Sequence, residues 1–404
     1  MGGASVGDLE DAVSSMGLNP AALGFATASD LHLTLGAVTA AGDYRNQHGG
    51  AGHLVEEWHF LPEVVWRTPL SDGVAVGLSV IPDSSREADW YIRDPQGGAG
   101  GQTSYGWQHH QSKIENVRAA IGLGARLSDQ FSVGASLGGV YTRNQLKSPY
   151  IFQSHPALAG MKTLLDMETD GFGVNGDLAL AWKATKKLAF GLSYRTPTRF
   201  ETEGEAKGDI GVQLRALGLT GVPTKFRYDS EIETKLPQKI TLGTSWQAFN
   251  RVRLATQIDW VNWSRAFDKL DVRLSKGSNP AINGLLGTDK INDTIPLQWE
   301  DRFVYRTGVE FDLTDALVLR AGYVYGKSPV PDDTLLPMTA AISEHTVTAG
   351  LGYDGGSFHV DLAYQYDLNA SQRAGSNVIT GTEYDRSEVG VSAHWLALTM
   401  GFNF

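Results

Sequence analysis

Few residues of this chain stand where catalysis or metal binding would need them. His359 and Asp361 lie two apart and His109 adjoins His110, so either pair could begin a metal site or an acid–base pair. Neither has a third ligand at a characteristic spacing, and no serine is read as an activated nucleophile of the Gly-x-Ser-x-Gly kind, so no catalytic residue and no metal site is assigned. The glycine run Gly97 to Gly101 lacks the Lys-Ser/Thr that follows a phosphate loop, and it reads as a flexible loop tip. No cofactor is expected. What remains is arginine. Arg118, Arg302, Arg306 and Arg320 can pair across an interior with Glu310, Asp177 or Asp361, or one of them can meet a carboxylate head group through paired hydrogen bonds. Which one would do so stays open, and Arg302 and Arg306 are carried as candidates.

The elements that must position these arginines alternate. Around the turn Asp354-Gly355-Gly356, Val347, Ala349, Leu351 and Tyr353 share one parity, as do Phe358, Val360, Leu362, Tyr364 and Tyr366 after it. The other parity carries small or polar residues. That pattern is an antiparallel hairpin with one apolar and one polar face, and a run of about ten residues suffices to cross a bilayer when tilted. About fourteen such segments follow one another from Leu31 onward. Arg118, Asp177, Arg195, Arg253, Asp259, Glu310 and Asp361 all fall on the polar parity, where a charge avoids the roughly 2 to 4 kcal/mol cost of facing lipid at midplane. The last run, Leu396 to Phe404, can close the sheet on the first strand. The fold expected is therefore an all-β transmembrane antiparallel barrel of about 14 strands, spanning residues 30–404.

Composition agrees. In 404 residues no stretch reaches the roughly 18 uninterrupted apolar residues of a membrane-spanning helix, yet 42% are hydrophobic and 47 are glycine, as alternating strands require. A net charge of −11 argues against a nucleic-acid partner. Cysteine is absent, which permits passage through an oxidising compartment without requiring it. Short turns such as Ser71-Asp72-Gly73 and Ser128-Asp129-Gln130 alternate with long connections near 43–56, 82–111, 146–168, 200–228, 276–296, 327–342 and 370–386. Short turns belong to the periplasmic side, which places both termini there and the protein in a bacterial outer membrane. Met1-Gly2-Gly3-Ala4 has no secretory signal, so this numbering is expected to belong to a mature or altered form, or the true start lies upstream.

Two long connections look helical. Leu158, Met161 and Leu165 recur at helical spacing, as do Ile210, Leu214, Leu217 and Leu219, and such stripes must be covered by each other or by a ligand. With Phe152 they form the candidate site for a hydrophobic molecule. Residues 1–29 show no strand alternation and contain Asn19-Pro20-Ala21, so they are expected to form a compact, turn-rich plug.

The chain resembles the FadL-type outer-membrane transporters of long-chain fatty acids and aromatic hydrocarbons. The resemblance covers nearly the whole chain. It lies in Leu18-Asn19-Pro20-Ala21-Ala22-Leu23, Ser193-Tyr194-Arg195-Thr196-Pro197, Leu236-Pro237 with Ile240 to Gly243, and Asp259-Trp260-Val261-Asn262-Trp263-Ser264. Most specific is Gly308 to Asp332, with Leu319-Arg320-Ala321-Gly322-Tyr323 and Ser328-Pro329-Val330-Pro331-Asp332. The resemblance implies a barrel blocked by an N-terminal hatch that contains Asn19, Pro20 and Ala21. It further implies an outer groove between the third and fourth long loops, an inner pocket beneath it, and a lateral opening in the wall. One departure is that the residues before Asn19 are fewer than in the family's usual N-terminal segment. The function expected is passive uptake of hydrophobic small molecules by a monomer surrounded by outer-membrane lipid and lipopolysaccharide. A general porin for hydrophilic solutes is the alternative, favoured by the charged interior and opposed by the plug. A lipid-modifying enzyme is the third reading, and it would need a convergent Ser/His/acid set.

Overall fold

A computed structural model describes residues 1–404 apart from 84, 340–341 and 379–382. In chain order its strands are β1 (Asp30–Arg45), β2 (Ala51–Leu54), β3 (His59–Ser71), β4 (Val74–Pro82), β5 (Arg86–Arg93), β6 (Trp107–Arg126) and β7 (Phe131–Ile151). They continue with β8 (Lys162–Thr185), β9 (Leu188–Arg195), β10 (Thr198–Asp209), β11 (Lys225–Leu236), β12 (Lys239–Phe249), β13 (Val252–Val261) and β14 (Lys269–Ser275). The last are β15 (Ile291–Pro296), β16 (Arg302–Asp312), β17 (Leu317–Gly326), β18 (His345–Asp354), β19 (Phe358–Arg373) and β20 (Glu388–Asn403).

Fourteen of these close an antiparallel barrel. The ring runs β1, β3, β4, β6, β7, β8, β9, β12, β13, β16, β17, β18, β19, β20, and β20 returns to β1 with Asp30 opposite Asn403 and Arg45 opposite Glu388. Closure pairs the wall strands with one another, as the apolar bilayer core demands, apart from one stretch of β3 before Val64. The alternation sorts as its parity requires: Leu35, Leu192, Leu319 and Leu351 are exposed on the outer face, whereas Arg118, Asp177 and Asp259 are buried inside. Aromatic rings ring the outer face, with Trp182 stacked between Phe131 and Phe190 near one rim.

The long connections hold more strand than the sequence suggests. β10, β11, β14 and β15 form an extension that continues the wall outward from β8, and β2 and β5 form a smaller one beside β1 and β6. Leu158 and Met161 lie in a turn and Leu165 lies on β8, so the expected helix is absent. Their spacing of three and four is equally met by a tight turn feeding a strand. The second expected helix exists but is short: α2 covers Gly211–Ala216, and Leu219 falls beyond its end. Another helix, Pro280–Leu286, sits in the loop between β14 and β15, started by Asn279 accepting from the Ala281 and Ile282 amides.

Residues 1–29 run through the barrel interior as far as Phe25, and Thr27 and Ala28 are exposed where the chain joins β1. A helix, Ala12–Gly17, begins at Asp11, whose carboxylate accepts from the Val13 and Ser14 amides. A 3₁₀ turn, Pro20–Phe25, follows. Met16 and Leu23 pack on Val65, Ala75 and Ala120 of the wall, and Leu9, Ala21 and Ala22 pack on Ala179 and Ala181. The wall makes room by omission: a Cβ on Gly134 would sit 2.3 Å from Pro20 and Ala21, and one on Gly191 would sit 1.9 Å from the Val6 carbonyl. Met1 lies within the lumen against Gly308 and Gly322.

Candidate functional site

The site begins with a fault in strand pairing. β4 pairs with β6 as far as Pro82 opposite Val117, and β5 resumes the same partner with Arg86 opposite Ile114. Between these two pairings the register shifts by one, three residues of the chain standing against two of β6, which is a bulge of one extra residue. Beyond it the wall does not heal. β3 pairs with β4 only up to Val64 opposite Val80, while β5 turns away to pair with β2. The stretch His59–Glu63 of β3 keeps β1 on one side, and no strand of the described residues pairs with its other side.

A cavity of about 1120 Å³ lies behind this break. Both lips contribute to it, Trp58 and Phe60 from one side and Val80 and Pro82 from the other, and its depth is lined by aromatic residues such as Tyr150 and Trp299. Its size and mostly apolar walls suit a greasy molecule of drug or lipid-tail dimensions. Charged residues line it as well, among them Arg86, Glu87, Asp89, Lys113 and Asp367. The guanidinium carbon of Arg86 stands 4.5 Å from the Trp263 ring centre and 5.2 Å from that of Trp299, whose ring stacks on Phe267. Its Nη1 is buried without a hydrogen-bond partner, and no carboxylate pairs with Arg86 among the described residues. The acids nearby are engaged elsewhere: Glu87 with Lys113 and His59, and Asp89 with His109.

The residues singled out from sequence fall in three places. Phe152, Leu158, Leu165 and Leu214 join one buried cluster with Phe226 and Tyr228, and Met161 packs against it. Leu217 and Leu219 stay exposed, 43% and 50%. The cluster reaches the cavity through Met167 and Ile232, which line it, whereas Phe152, Leu158, Met161, Leu165 and Leu214 do not. Arg302 and Arg306 are already engaged. Arg302 pairs with Glu300 and donates to the Ser328 carbonyl, and Arg306 pairs with Asp259 at 2.9 Å and donates to the Gly2 carbonyl at 3.0 Å. Asn19 sits at the centre of the N-terminal segment: its amide donates to the Val6 carbonyl at 2.7 Å and its oxygen accepts from the Ala21 amide. Pro20 holds Asn19 out of helix and starts the 3₁₀ turn.

Several lumen charges are paired, and some of them hold this segment. Asp177 accepts from Arg118 and from Arg195, Glu310 accepts from Arg253 and Arg320, and Arg320 also meets Asp361. Arg253 reaches Asp8, Arg67 donates to the Glu10 carbonyl, and Gln257 accepts the Ser5 and Val6 amides. Outside the barrel, Lys162 is buried between Asp94, 2.7 Å away, and Glu383, and it donates to the Pro95 carbonyl. Gln213 of α2 accepts from the Lys162 amide and exchanges hydrogen bonds with Ala99. Burial pushes the Glu383 carboxyl up to about 7, with Lys162 opposing the shift.

Two Gly-x-Ser-x-Gly strings do occur, Gly3 to Gly7 and Gly134 to Gly138, which the sequence reading passes over. Neither serine stands at the strand-to-helix turn such a nucleophile needs. Ser136 lies within β7 and donates to Asp177 at 2.6 Å. His359 packs on His32, and His109 pairs with Asp89. Among the described residues no three His, Asp or Glu converge as metal ligands.

The whole chain, residues 1–404, matches the family model described as "Outer membrane protein transport protein (OMPP1/FadL/TodX)". Among solved structures, the Pseudomonas putida toluene transporter TodX is 22% identical, with a TM-score of 0.77 over 98% of this chain and 94% of its own. A FadL homologue from Pseudomonas aeruginosa is 18% identical, with a TM-score of 0.78 over 100% and 97%. The Ralstonia pickettii toluene transporter TbuX is 18% identical, with a TM-score of 0.71 over 97% and 93%. These likenesses show the fold. A curated relative from Neisseria meningitidis serogroup B, named "Putative outer membrane protein NMB0088", is 23% identical over 207 residues, spanning 50% of this chain and 43% of that relative.

Proposed function

The chain belongs to the OMPP1/FadL/TodX family of outer-membrane transport proteins, and on that premise we propose that it takes up hydrophobic small molecules passively through a plugged barrel and releases them at the break in the wall. The observation that carries this reading is the aromatic-lined cavity of about 1120 Å³ that reaches both lips of the break. The same lining includes Phe60, which is 65% exposed at the lip. Residues 1–29 serve as the hatch: the packing of Leu9, Met16, Ala21, Ala22 and Leu23 on the inner wall supports a plugged barrel and opposes the porin reading. The exposed Leu217 and Leu219, beside the buried Leu158 and Leu214, serve as an outer landing patch. Phe152, Met161 and Leu165 support it from behind.

Arg86 favours one substrate class within that reading, an amphiphile with an anionic head such as a long-chain carboxylate. A stacked guanidinium with a buried, unpartnered donor offers a directional charge-assisted hydrogen bond, while a plain hydrocarbon would leave it unused. Arg302 and Arg306 would each have to give up an existing ion pair to do the same.

Purified protein in planar bilayers and in cells tests the reading. Steady ion conductance should be small and uptake of a long-chain carboxylate should exceed that of a hydrophilic sugar of equal mass. Open-pore conductance together with sugar uptake as fast as lipid uptake would replace it with the porin reading.

A further inference from the structure

We propose that Arg195 is a positioning residue that couples the N-terminal segment to the break in the wall, so that displacement of one releases the other. The significance for transport rests on the cavity and break being the substrate's route; the coupling itself does not.

Arg195 ends β9 and points into the lumen. Its Nε donates to one oxygen of Asp177 at 2.7 Å and its Nη2 to the other at 3.3 Å. Asp177 is held in turn by Arg118 Nη2 at 2.8 Å and by the Ser136 hydroxyl at 2.6 Å. One edge of the guanidinium is thereby fixed to the wall. The remaining donors reach two groups that belong to neither neighbouring strand. Nη2 donates to the carbonyl of Gly17 at 2.9 Å, the last residue of the N-terminal helix and two residues before the Asn19-Pro20 bend. Nη1 stands 3.4 Å from Asp83 Oδ1, at the first residue of the bulge, where the Asp83 amide still donates to Asn116.

A guanidinium is a rigid planar fork with five donors, so turning to follow one partner misaims it at the others. Away from water a half-satisfied network costs more than its missing bond, so the two contacts reinforce each other. If the Gly17 carbonyl leaves, the fork loses the partner that orients it toward Asp83, and the lip of the break is held less firmly. Coupling of this kind is reciprocal: loosening Asp83 must loosen Gly17 by the same factor.

The chain has no cysteine, so Gly17→Cys supplies a unique thiol, and a Cβ built there meets nothing within 4 Å. The rate at which a small maleimide modifies that thiol in the folded protein, without substrate, reports the segment's displacement. Asp83→Asn, which lies in the wall, should raise the rate at least about fivefold, the lower end of typical coupling between sites. Arg195→Gln should raise it as much, Arg195→Lys should behave like Gln because it keeps the charge and loses the fork, and Asp83→Asn added to Arg195→Gln should add nothing. Heat-modifiable mobility on gels confirms folding of each variant. A rate unmoved by Asp83→Asn overturns the proposal, as does a double variant whose two effects multiply. Should Arg195→Gln not fold, Asp83→Asn alone decides. Because no substrate enters the measurement, failure of the transport reading and failure of the coupling are told apart.

Discussion

At Arg86 one side chain is asked to tell two classes of greasy molecule apart. Its stacking on Trp263 and Trp299 holds the guanidinium plane in place before any ligand arrives, so little side-chain freedom remains to be lost on binding. A hydrogen bond to a charged group contributes about 1.5 to 3 kcal/mol. Arg86→Gln is therefore expected to weaken binding of a twelve-carbon carboxylate about ten- to a hundredfold while leaving a neutral alkane of the same length within about twofold. Calorimetric titration of each ligand reads both affinities, and an equal loss for both ligands would make Arg86 a packing residue only. The sequence points elsewhere because its argument for arginines is parity. Arg302 and Arg306 stand on regular strands where inward and outward can be counted, whereas Arg86 follows an irregular stretch where counting breaks down. Parity shows which charges avoid lipid, and it is silent on which of them lacks a partner, since Asp259 meets Arg306 only through pairing between strands.

Elements were legible in proportion to their regularity. The wall strands announce themselves because lipid on one side and a packed lumen on the other enforce a period of two. The outer extensions β10, β11, β14 and β15 also alternate, but with charges on their exposed faces, such as Glu205, Arg227, Glu231 and Arg273, in place of the apolar residues of a lipid-facing wall, so they read as loop. What ties the outer segments together is a long-range contact no local pattern reveals: Lys162, Asp94 and Glu383, with Gln213 beside them. Burial raises Glu383 to about 7, so the folded loops hold its proton more tightly than an unfolded chain would. The linked stabilisation is fully present below the ordinary glutamate value, about 4.3, and is lost as pH rises through the folded value. Amide exchange in residues 94–106, corrected for its intrinsic pH dependence, should therefore be slower at pH 5 than at pH 8, by about 1 to 3 kcal/mol in opening free energy. Glu383→Gln should flatten that dependence, and a dependence that survives it would put the titrating group elsewhere.

For the molecule as a whole, the barrel and its contents are separable claims. Leu319→Arg turns a charge to lipid and should lower folding stability in bilayers, by less than the roughly 2 to 4 kcal/mol of a midplane site because Leu319 lies near a strand end, whereas Arg at the neighbouring inward Val318 should cost less still. Deleting residues 2–23 should leave a folded barrel, because the wall closes through its own pairing, with a higher ion conductance through a lumen lined there by glycine and paired charge. A folded deletion variant that conducts no more than the full chain would move the barrier to the outer loops. The bulge between Pro82 and Arg86 has a different character, because it is a matter of length. Before it the exposed positions of the strand are even, as at Leu78 and Val80; after it they are odd, as at Tyr91 and Arg93, while β6 alongside keeps odd positions outward throughout. Like a dislocation in a crystal, such a fault cannot be annealed by exchanging one side chain for another, since no substitution changes the count. Point mutation can widen, narrow or re-charge the aperture without ever sealing it, and removing one residue between Pro82 and Arg86 is the smallest change that lets the wall knit shut with every remaining side chain on its present face.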